Sequence, residues 1–299
     1  MYDLTILGGG PAGLTATVYA LRKRLDVLLI TRDLGGKTNY RLQVPFVEHH
    51  LVITGEEVVS RFANEVEYLD FSRTFDKAER VERREGGYRV HTQSGKTYDS
   101  RALIVCTGAL GRLLNVPGEK EFMMRGLCYS AISYAPLFVD REVVVIGDRG
   151  LALRSTAELA RIAKRVTLLA PTHGDLGSAF GKRIAAEKVV EILEGYAVDQ
   201  VIGDGYARAL AISRDGERRE LRADAFFVEL GLSPQSEMVA GLVERDPLQR
   251  IHVDCQNATS APGVFAAGDV TDVFAEQVLI AVGEGAKAAL AAQEYLLTF

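Results

Sequence analysis

Three glycines near the amino terminus have the spacing of a phosphate-binding turn. Gly8, Gly10 and Gly13 follow an apolar run and lead into a helical stretch that begins at Pro11. In such a turn the first glycine allows a tight bend, the second lets backbone approach a pyrophosphate, and the third lets the helix close on the strand. The helix amino terminus adds free N–H groups and a partial positive charge. Because a second apolar run follows at 25–30, the sequence predicts strand, turn, helix, strand and a dinucleotide ligand.

A second motif of the same kind lies far downstream. Residues 264–269 read Val-Phe-Ala-Ala-Gly-Asp and precede a long Ala-rich stretch. The carboxylate of Asp269, which follows Gly268, can accept a hydrogen bond from a ribityl hydroxyl, and a helix after it can direct its positive end at the pyrimidine side of a flavin. Pro11 and Ala12 complete the first motif. Together, the two motifs resemble the FAD fingerprints of two-dinucleotide flavoproteins. This resemblance implies bound FAD.

Residues beside these motifs complete the expected cofactor site. Gly35 and Gly36 permit close approach of the backbone. Asp33, about 20 residues past the glycines, is a candidate for a ribose hydroxyl, with Thr31 at the strand end as the alternative. For His49, contact with a flavin is the alternative to an ordinary surface position. The remaining cofactor-binding candidates of this group are Lys37, Thr38, Thr107 and Gly108.

Composition narrows the classes of function. The chain has 299 residues and a net charge of -5, which argues against a surface for nucleic acid or anionic membrane. No apolar run reaches the ~18 residues of a membrane span, so we expect a cytoplasmic protein. The three cysteines form no Cys-x-x-Cys pair, so we expect neither a metal site nor a disulfide framework. Cys106 lies in an apolar run and is expected to be a small buried side chain.

The same strand-turn-helix-strand pattern occurs a second time. It begins at 142–146, turns at Gly147 and continues to 166–169. The repeat predicts an α/β protein with two Rossmann-like, three-layer dinucleotide-binding domains, the second inserted into the first. We expect a discontinuous FAD-binding domain and an inserted NAD(P)-binding-like domain. The predicted bounds are 1–114 and 246–299 for the first domain and 115–245 for the second.

Turn residues and apolar patterns predict the other elements. Pro117 and Gly118 mark the first linker, and Asp246 and Pro247 mark the return to the first domain. The remaining predictions are an amphipathic helix over 55–69, strands over 75–81 and 88–92, a hairpin of 207–213 and 217–223 about Asp215 and Gly216, a buried strand over 225–230 and a terminal helix over 275–297.

Taken together, these motifs and Gln277 before the run 283–285 resemble the low-molecular-weight thioredoxin reductase family, including the related peroxiredoxin-reductase flavoproteins, over almost the whole chain. The resemblance implies a homodimer in which an NADPH domain interrupts an FAD domain. It also implies a Cys-x-x-Cys-Asp motif just before the first strand of the NADPH domain, and a domain rotation that presents NADPH or the dithiol to the flavin. Gln277 and Val278 are then expected at the pyrimidine edge of the flavin, while Glu276 stands where the family usually has a basic residue.

The dithiol of the family is missing from this chain. Alignment on the strand at 143–146 places the two cysteine positions on Ser130 and Ser133, and the following acid on Tyr134. A serine hydroxyl can neither form nor exchange a disulfide, so we expect no dithiol relay and no catalytic side chain at this place. Cys128 lies two positions before Ser130 and has no partner cysteine nearby in the sequence. We expect its thiol to take no part in the chemistry; the alternative is a thiol that forms a mixed disulfide with another molecule.

The second nucleotide motif is also altered. The family's Gly-x-Gly-x-x-Ala becomes Gly147 to Ala152 with Arg149 in place of the second glycine and Asp148 beside it. The 2′-phosphate-binding basic residues correspond to 170–173, where only His173 is a donor. We expect Arg149 to fill part of the pyrophosphate site and to bond a carboxylate or carbonyl. The alternative is an Arg149 turned to solvent with NADH still bound.

The function that follows is an FAD-dependent oxidoreductase without NADPH-thioredoxin reductase activity and with doubtful NAD(P)H binding. Pyridine-nucleotide-independent relatives of the family use protein donors, which implies a ferredoxin or flavodoxin as a possible electron donor. Two other hypotheses stay open. One is a non-enzymatic FAD-binding or sensing protein, and the other is an NADH-dependent flavin oxidase or reductase.

Overall fold

The computed structural model describes residues 1–40, 42–46, 54–67 and 72–298. Its α/β fold follows the predicted class, and contacts divide the chain into two compact units. Unit 1 holds both ends of the chain, and the divisions at 110/111 and 232/233 separate it from unit 2. The sequence analysis placed these divisions at 114/115 and 245/246. The segment 40–46 also groups with unit 2, which no sequence pattern indicated.

The strands and helices have the following bounds. The strands are β1 (Tyr2–Leu7), β2 (Val27–Thr31), β3 (Arg73–Phe75), β4 (Ala78–Arg84), β5 (Gly87–Thr92), β6 (Thr97–Val105), β7 (Ala109–Gly111), β8 (Leu127–Cys128), β9 (Glu142–Ile146), β10 (Arg165–Ala170), β11 (Val190–Glu194), β12 (Ala197–Gly203), β13 (Ala207–Arg214), β14 (Glu217–Arg222), β15 (Ala225–Val228), β16 (Leu232–Pro234) and β17 (Val264–Ala266). The helices are α1 (Pro11–Arg22), α2 (Thr54–Glu67), α3 (Glu119–Phe122), α4 (Ala131–Tyr134), α5 (Gly150–Leu159), α6 (Ala179–Ala185) and α7 (Val278–Leu297).

The sheet of unit 1 has the order β3-β2-β1-β6-β5-β4, with β17 also paired to β6. Strands β3, β2, β1, β6 and β17 are parallel, and β5 and β4 add an antiparallel edge. The central strands are continuous apolar runs because both faces of the sheet are covered; every residue of β2 is buried. One core cluster joins one face of the sheet to α1 and α7. The first strand-turn-helix-strand prediction is therefore confirmed.

Unit 2 repeats this arrangement with a smaller sheet. Its parallel order is β11-β10-β9-β15-β8, and β9, α5 and β10 form the second predicted strand-helix-strand unit. Strands β12, β13 and β14 form a separate antiparallel sheet. The predicted hairpin about Asp215 and Gly216 is present, and both residues have the positive φ that its tight turn requires. Strands β7 and β16 pair as a two-stranded ribbon.

Some predicted bounds need correction. The strand expected over 75–81 is divided into β3 and β4, because the side chain of Asp76 accepts hydrogen bonds from Lys77 N and Ser94 N and fixes a turn there. The strand expected over 225–230 ends at Val228. The terminal helix begins at Val278, three residues later than predicted. Among the described residues, no helix is both long and apolar enough to cross a membrane.

The predicted first linker at Pro117 and Gly118 is wrong, because both residues belong to the folded body of unit 2. The backbone oxygen of Pro117 accepts a hydrogen bond from Val201 N, and a Cβ added to Gly118 would lie 2.1 Å from Val201 O. The neighbouring Glu119 is only 2% exposed and accepts hydrogen bonds from Leu114 N at 2.6 Å, Asn115 N at 2.7 Å and the Tyr129 hydroxyl. This buried carboxylate fixes the first turns of unit 2.

Replacement of Glu119 by Ala is expected to destabilise the protein by about 2–4 kcal/mol, because two backbone N–H groups and a phenol lose their acceptor in a buried position. Urea unfolding followed by far-UV circular dichroism measures this loss. Glu121→Ala, an exposed acid in the same short helix, is the control and should leave the unfolding midpoint unchanged. Equal midpoints for the two variants would show that the Glu119 contacts contribute nothing to stability.

Candidate dinucleotide-binding sites

The turn after β1 has the geometry of a phosphate cradle. Gly8 has φ +102°, and a Cβ there would lie 2.4 Å from Cys106 O. A Cβ on Gly13 would lie 1.8 Å from Gly8 O, so only glycine lets α1 approach the strand this closely. At Gly10, by contrast, an added Cβ would meet no described atom within 4 Å. The cradle is therefore tight on the protein side and open on the side where the spacing predicts a pyrophosphate.

The amino terminus of α1 faces this opening. Gly10 is the residue before the helix, and Pro11 occupies its first turn, where a missing N–H costs nothing. Within the described part of the chain, no side chain caps this end of the helix. A helix of 12 residues with uncapped N–H groups and its positive dipole end beside an open glycine fits a diphosphate.

The turn after β2 lies against the cradle. Gly35 N donates to Gly9 O at 2.7 Å, and a Cβ on Gly36 would lie 3.1 Å from the Gly10 Cα. Asp33 accepts from Gly36 N at 2.9 Å, and its backbone oxygen accepts from the Thr31 hydroxyl at 2.6 Å. Thr31 and Asp33, the two candidates for the ribose contact, thus both stabilise the turn after β2. The hydroxyl of Thr38 likewise donates to Gly35 O, at 2.7 Å.

The downstream motif completes the same site. Gly268, with φ +78°, turns the chain after β17 so that Asp269 forms an ion pair with Lys37. The Asp269 side chain is 13% exposed and that of Lys37 is 44% exposed. This ion pair joins two motifs more than 200 residues apart in the sequence, and opposite charges in the two turns were the only sequence signal for it. At the end of β6, Thr107 donates its hydroxyl hydrogen to Gln235 O, and Gly108 has φ +69°.

The third group of predicted residues lies at the start of α7. Gln277 is the residue before the helix and Val278 is its first residue, so the helix does not follow the Asp269 turn directly. Both side chains are half-buried. Farther along α7, a Cβ on Gly285 would lie 2.1 Å from Ala12 O, which shows how closely α7 packs on the first turn of α1. His49 lies outside the described residues.

Sequence reasoning missed Glu284, a half-buried acid on α7. Its carboxylate accepts a hydrogen bond from Gly268 N at 2.8 Å. Burial raises the pKa of Glu284, and the nearby charges of Asp269 and Asp272 add to this rise, while the Gly268 N–H and Lys287 oppose it. The Gly-Glu-Gly run was used only as part of the family pattern, so the contact needed the structure.

The predicted dithiol positions lie side by side in unit 2. Ser130 precedes α4, and its hydroxyl donates to that of Ser133 at 2.9 Å. The backbone N–H of Ala131 donates to Glu229, a carboxylate only 3% exposed that the sequence analysis did not single out. Cys128 is fully buried, and burial raises the pKa of its thiol far above the usual range. Cys106 is also buried, as expected.

The prediction for Arg149 is wrong. The residue caps the start of α5 with extended backbone, but its side chain is 75% exposed and its nearest carboxylate oxygen, of Asp148, is 3.9 Å from Nε. The guanidinium extends into solvent, where hydration costs less than burial in a narrow turn. The rest of the turn is as expected, since a Cβ on Gly147 would lie 2.8 Å from the Ala152 Cβ.

Asp148 bridges this turn to the loop after β10. Its carboxylate accepts from Thr172 N at 3.0 Å and from the Thr172 hydroxyl at 2.5 Å, and its backbone oxygen accepts from Asp175 N at 2.8 Å. Gly174 is held so closely that a Cβ would lie 2.2 Å from Asp148 O. The only donor among the basic positions, His173, pairs with Glu194 at 3.1 Å. The glycine turn and the loop after the next strand are joined here by a carboxylate, whereas in unit 1 the corresponding segments are joined by the backbone groups Gly35 N and Gly9 O.

Comparison with known proteins places the chain. Residues 2–285 match the pyridine nucleotide-disulphide oxidoreductase family. Alkyl hydroperoxide reductase F of Staphylococcus epidermidis is 32% identical over 303 residues, and a Bacillus subtilis NADH dehydrogenase is 32% identical over 304 residues. Each of these alignments covers 99% of this chain but only 59% of the relative.

Solved structures resemble the whole chain. Thioredoxin reductase from Giardia duodenalis superimposes with a TM-score of 0.88 at 30% identity, over 99% of this chain and 99% of that one. Thioredoxin reductase from Streptococcus pyogenes gives a TM-score of 0.89 at 28% identity, over 100% of this chain and 99% of that one. Members of the matched family bind FAD and use NAD(P)H. The chain thus belongs to the pyridine nucleotide-disulphide oxidoreductase family and has the thioredoxin-reductase fold.

Proposed function

We propose that this chain binds FAD in unit 1 and exchanges electrons through the flavin without a dithiol of its own, with an electron-carrier protein such as ferredoxin or flavodoxin as the donor. The observation that supports it best is a contrast between the two nucleotide turns. The turn after β1 has open space at Gly10, whereas the corresponding turn in unit 2 has Arg149 at that position and the Asp148 carboxylate beside it.

Three segments of unit 1 would hold the cofactor. The backbone at Gly10 and the amino terminus of α1 would receive the diphosphate, and Asp269 would receive a ribityl hydroxyl. Lys37 would offset the charge of Asp269 and so reduce its repulsion of the diphosphate. When bound, the isoalloxazine supplies hydride or single-electron transfer, and the protein contributes position and electrostatics.

The serine pair supports the absence of a thiol relay. Ser130 and Ser133 contact each other as a dithiol would, but oxygen cannot take part in thiol-disulfide exchange. Cys128, the described cysteine nearest in sequence, is fully buried with a raised pKa, so it holds little of the reactive thiolate at neutral pH.

A second candidate function is an NADH-dependent flavin oxidase or reductase. The exposed Arg149 favours it, because a guanidinium in solvent does not fill the pyrophosphate position. The two functions differ in one step, the reduction of the flavin by a nicotinamide.

Anaerobic reduction of the flavin separates the two. The purified protein is mixed with NADH, with NADPH, or with reduced ferredoxin or flavodoxin, and the flavin absorbance is followed. Bleaching by the carrier protein but not by either nicotinamide agrees with the proposal. Bleaching within seconds by NADH would favour the second candidate, and a protein that neither carries nor takes up FAD would exclude both.

Gly10→Val is expected to abolish FAD retention while leaving the fold intact. Gly10 has φ −73°, which any residue can adopt, and its Cβ direction is open, so the new side chain occupies only the space of the diphosphate. The measurements are the flavin-to-protein ratio and urea unfolding of the deflavinated protein. Gly13→Val is the matched control, and it should lower stability strongly because its Cβ meets Gly8 O. Full flavin occupancy in Gly10→Val would show that this turn does not bind the diphosphate.

Wild-type protein should show no NADPH-dependent reduction of thioredoxin, whereas Ser130→Cys/Ser133→Cys should form a disulfide on mild oxidation, since the two side chains already touch. Thiol titration of the denatured protein measures this result. The wild type has three thiols; the oxidised variant should also show three, and the reduced variant three plus two, or five. Five thiols after oxidation would show that the serine positions do not have dithiol geometry.

Asp148→Gly should strengthen NADH binding by roughly tenfold or more, because the Asp148 carboxylate would no longer repel a diphosphate at this turn. Binding is followed by NADH fluorescence. Arg149→Gly is the matched variant and should bind as weakly as the wild type, since the side chain is exposed. Tight NADH binding by the unmodified protein would show that Asp148 does not oppose the nucleotide. An improvement limited to Arg149→Gly would assign the obstruction to the arginine.

A further inference from the structure

Glu284 occupies an unusual place for an acid. It lies on α7, half-buried, although the next acid along that helix, Glu294, is exposed. Burying a carboxylate is costly, and the raised pKa of Glu284 reflects this cost. Among the described residues, no basic side chain lies within ion-pair distance of this carboxylate, which accepts a hydrogen bond from the backbone N–H of Gly268 at 2.8 Å.

Glu284 holds the N–H of the peptide between Ala267 and Gly268, directly before the residue that precedes Asp269 in the turn. Gly268 has φ +78°, a conformation that leaves its N–H outside the β17 ladder. On the other side of the turn, Gly268 O accepts from Thr271 N at 2.9 Å and from the Thr271 hydroxyl at 2.8 Å. The Gly268 peptide groups are therefore fixed at both the donor and the acceptor side. This fixation sets the backbone from which the Asp269 side chain extends, and the ion pair with Lys37 holds its carboxylate.

Gly285, the residue after Glu284, fixes the position of α7. Gly285 lies so close to α1 that a Cβ would be 2.1 Å from Ala12 O. A Cβ on Gly268 would lie 3.2 Å from the Ala12 Cβ. Two adjacent residues of α7 thus connect the Asp269 turn and the phosphate cradle, one by a hydrogen bond and one by close packing.

We propose that Glu284 is a positioning residue for the flavin: through the Gly268 N–H it holds Asp269 at the angle at which its carboxylate meets the ribityl chain. This inference rests on the proposed binding of FAD in unit 1. In this role Glu284 acts through the turn at Gly268. Loss of its acceptor lets the Gly268 peptide rotate, and Asp269 then loses its fixed direction.

The dissociation constant of FAD for the deflavinated protein tests the role of Glu284. Glu284→Leu, which removes the acceptor, should weaken binding about 10- to 100-fold, the equivalent of one hydrogen bond to a charged group. Glu284→Gln keeps an acceptor oxygen and should stay within about threefold of the wild type. Glu294→Leu, with the same change of charge on the same helix, should also stay within about threefold. Glu284→Asp keeps the charge but is one methylene shorter, so it should resemble Glu284→Leu and replaces it if the leucine variant does not fold.

A double-mutant cycle separates positioning from a general effect on the fold. In the Asp269→Asn background, the effect of Glu284→Leu should fall below about threefold, because the group that Glu284 positions is already altered. Urea unfolding of each deflavinated variant checks that the fold is kept. An unchanged affinity in Glu284→Leu, equal losses in the Gln and Leu variants, or a full effect in the Asn background would each overturn the inference. Failure of the wild type to bind FAD would instead reject the proposed function.

Discussion

The structure of unit 1 depends on the close approach of α1 to its two neighbours. On one side Gly13 faces Gly8 O, and on the other Gly285 of α7 faces Ala12 O, at distances that exclude any Cβ. Backbone contacts this short place the amino terminus of α1 directly behind Gly10, so its N–H groups are presented at the opening. The diphosphate cradle is thus a consequence of helix packing. Larger side chains would move α1 away from the strand and disperse the N–H groups.

The same βαβ architecture has different electrostatics in the two units. In unit 1 the glycine turn lies beside a turn whose Lys37 pairs with Asp269, so a cation is available near the cradle. In unit 2 the equivalent space contains Asp148, whose carboxylate is bonded to Thr172. An anion approaching the first turn meets open backbone donors, whereas one approaching the second meets a carboxylate. Fold alone therefore does not assign a ligand to each turn.

The serine pair and the buried Glu229 form a small polar site in unit 2. The hydroxyls of Ser130 and Ser133 remain in contact, and Glu229 caps the backbone of Ala131 between them. A carboxylate only 3% exposed is well placed to receive that N–H but raises the cost of any anion formed nearby. This environment suits a static polar turn better than a thiolate.

The sequence by itself determined the class of fold, the two βαβ repeats and the position of the first cradle, because glycine spacing and continuous apolar strands are local properties of the chain. It also places serines, which cannot exchange a disulfide, at 130 and 133, since that depends only on residue type. Composition was a poor guide at Pro117 and Gly118, which have the residue types of a linker but pack on Val201. Only the tertiary structure decided where long side chains point. It turned Arg149 to solvent, bonded Asp148 to Thr172, paired Lys37 with Asp269 and brought Glu284 to Gly268. Each of these contacts joins residues distant in sequence or depends on the relative cost of hydration and burial, and neither can be read from spacing along the chain.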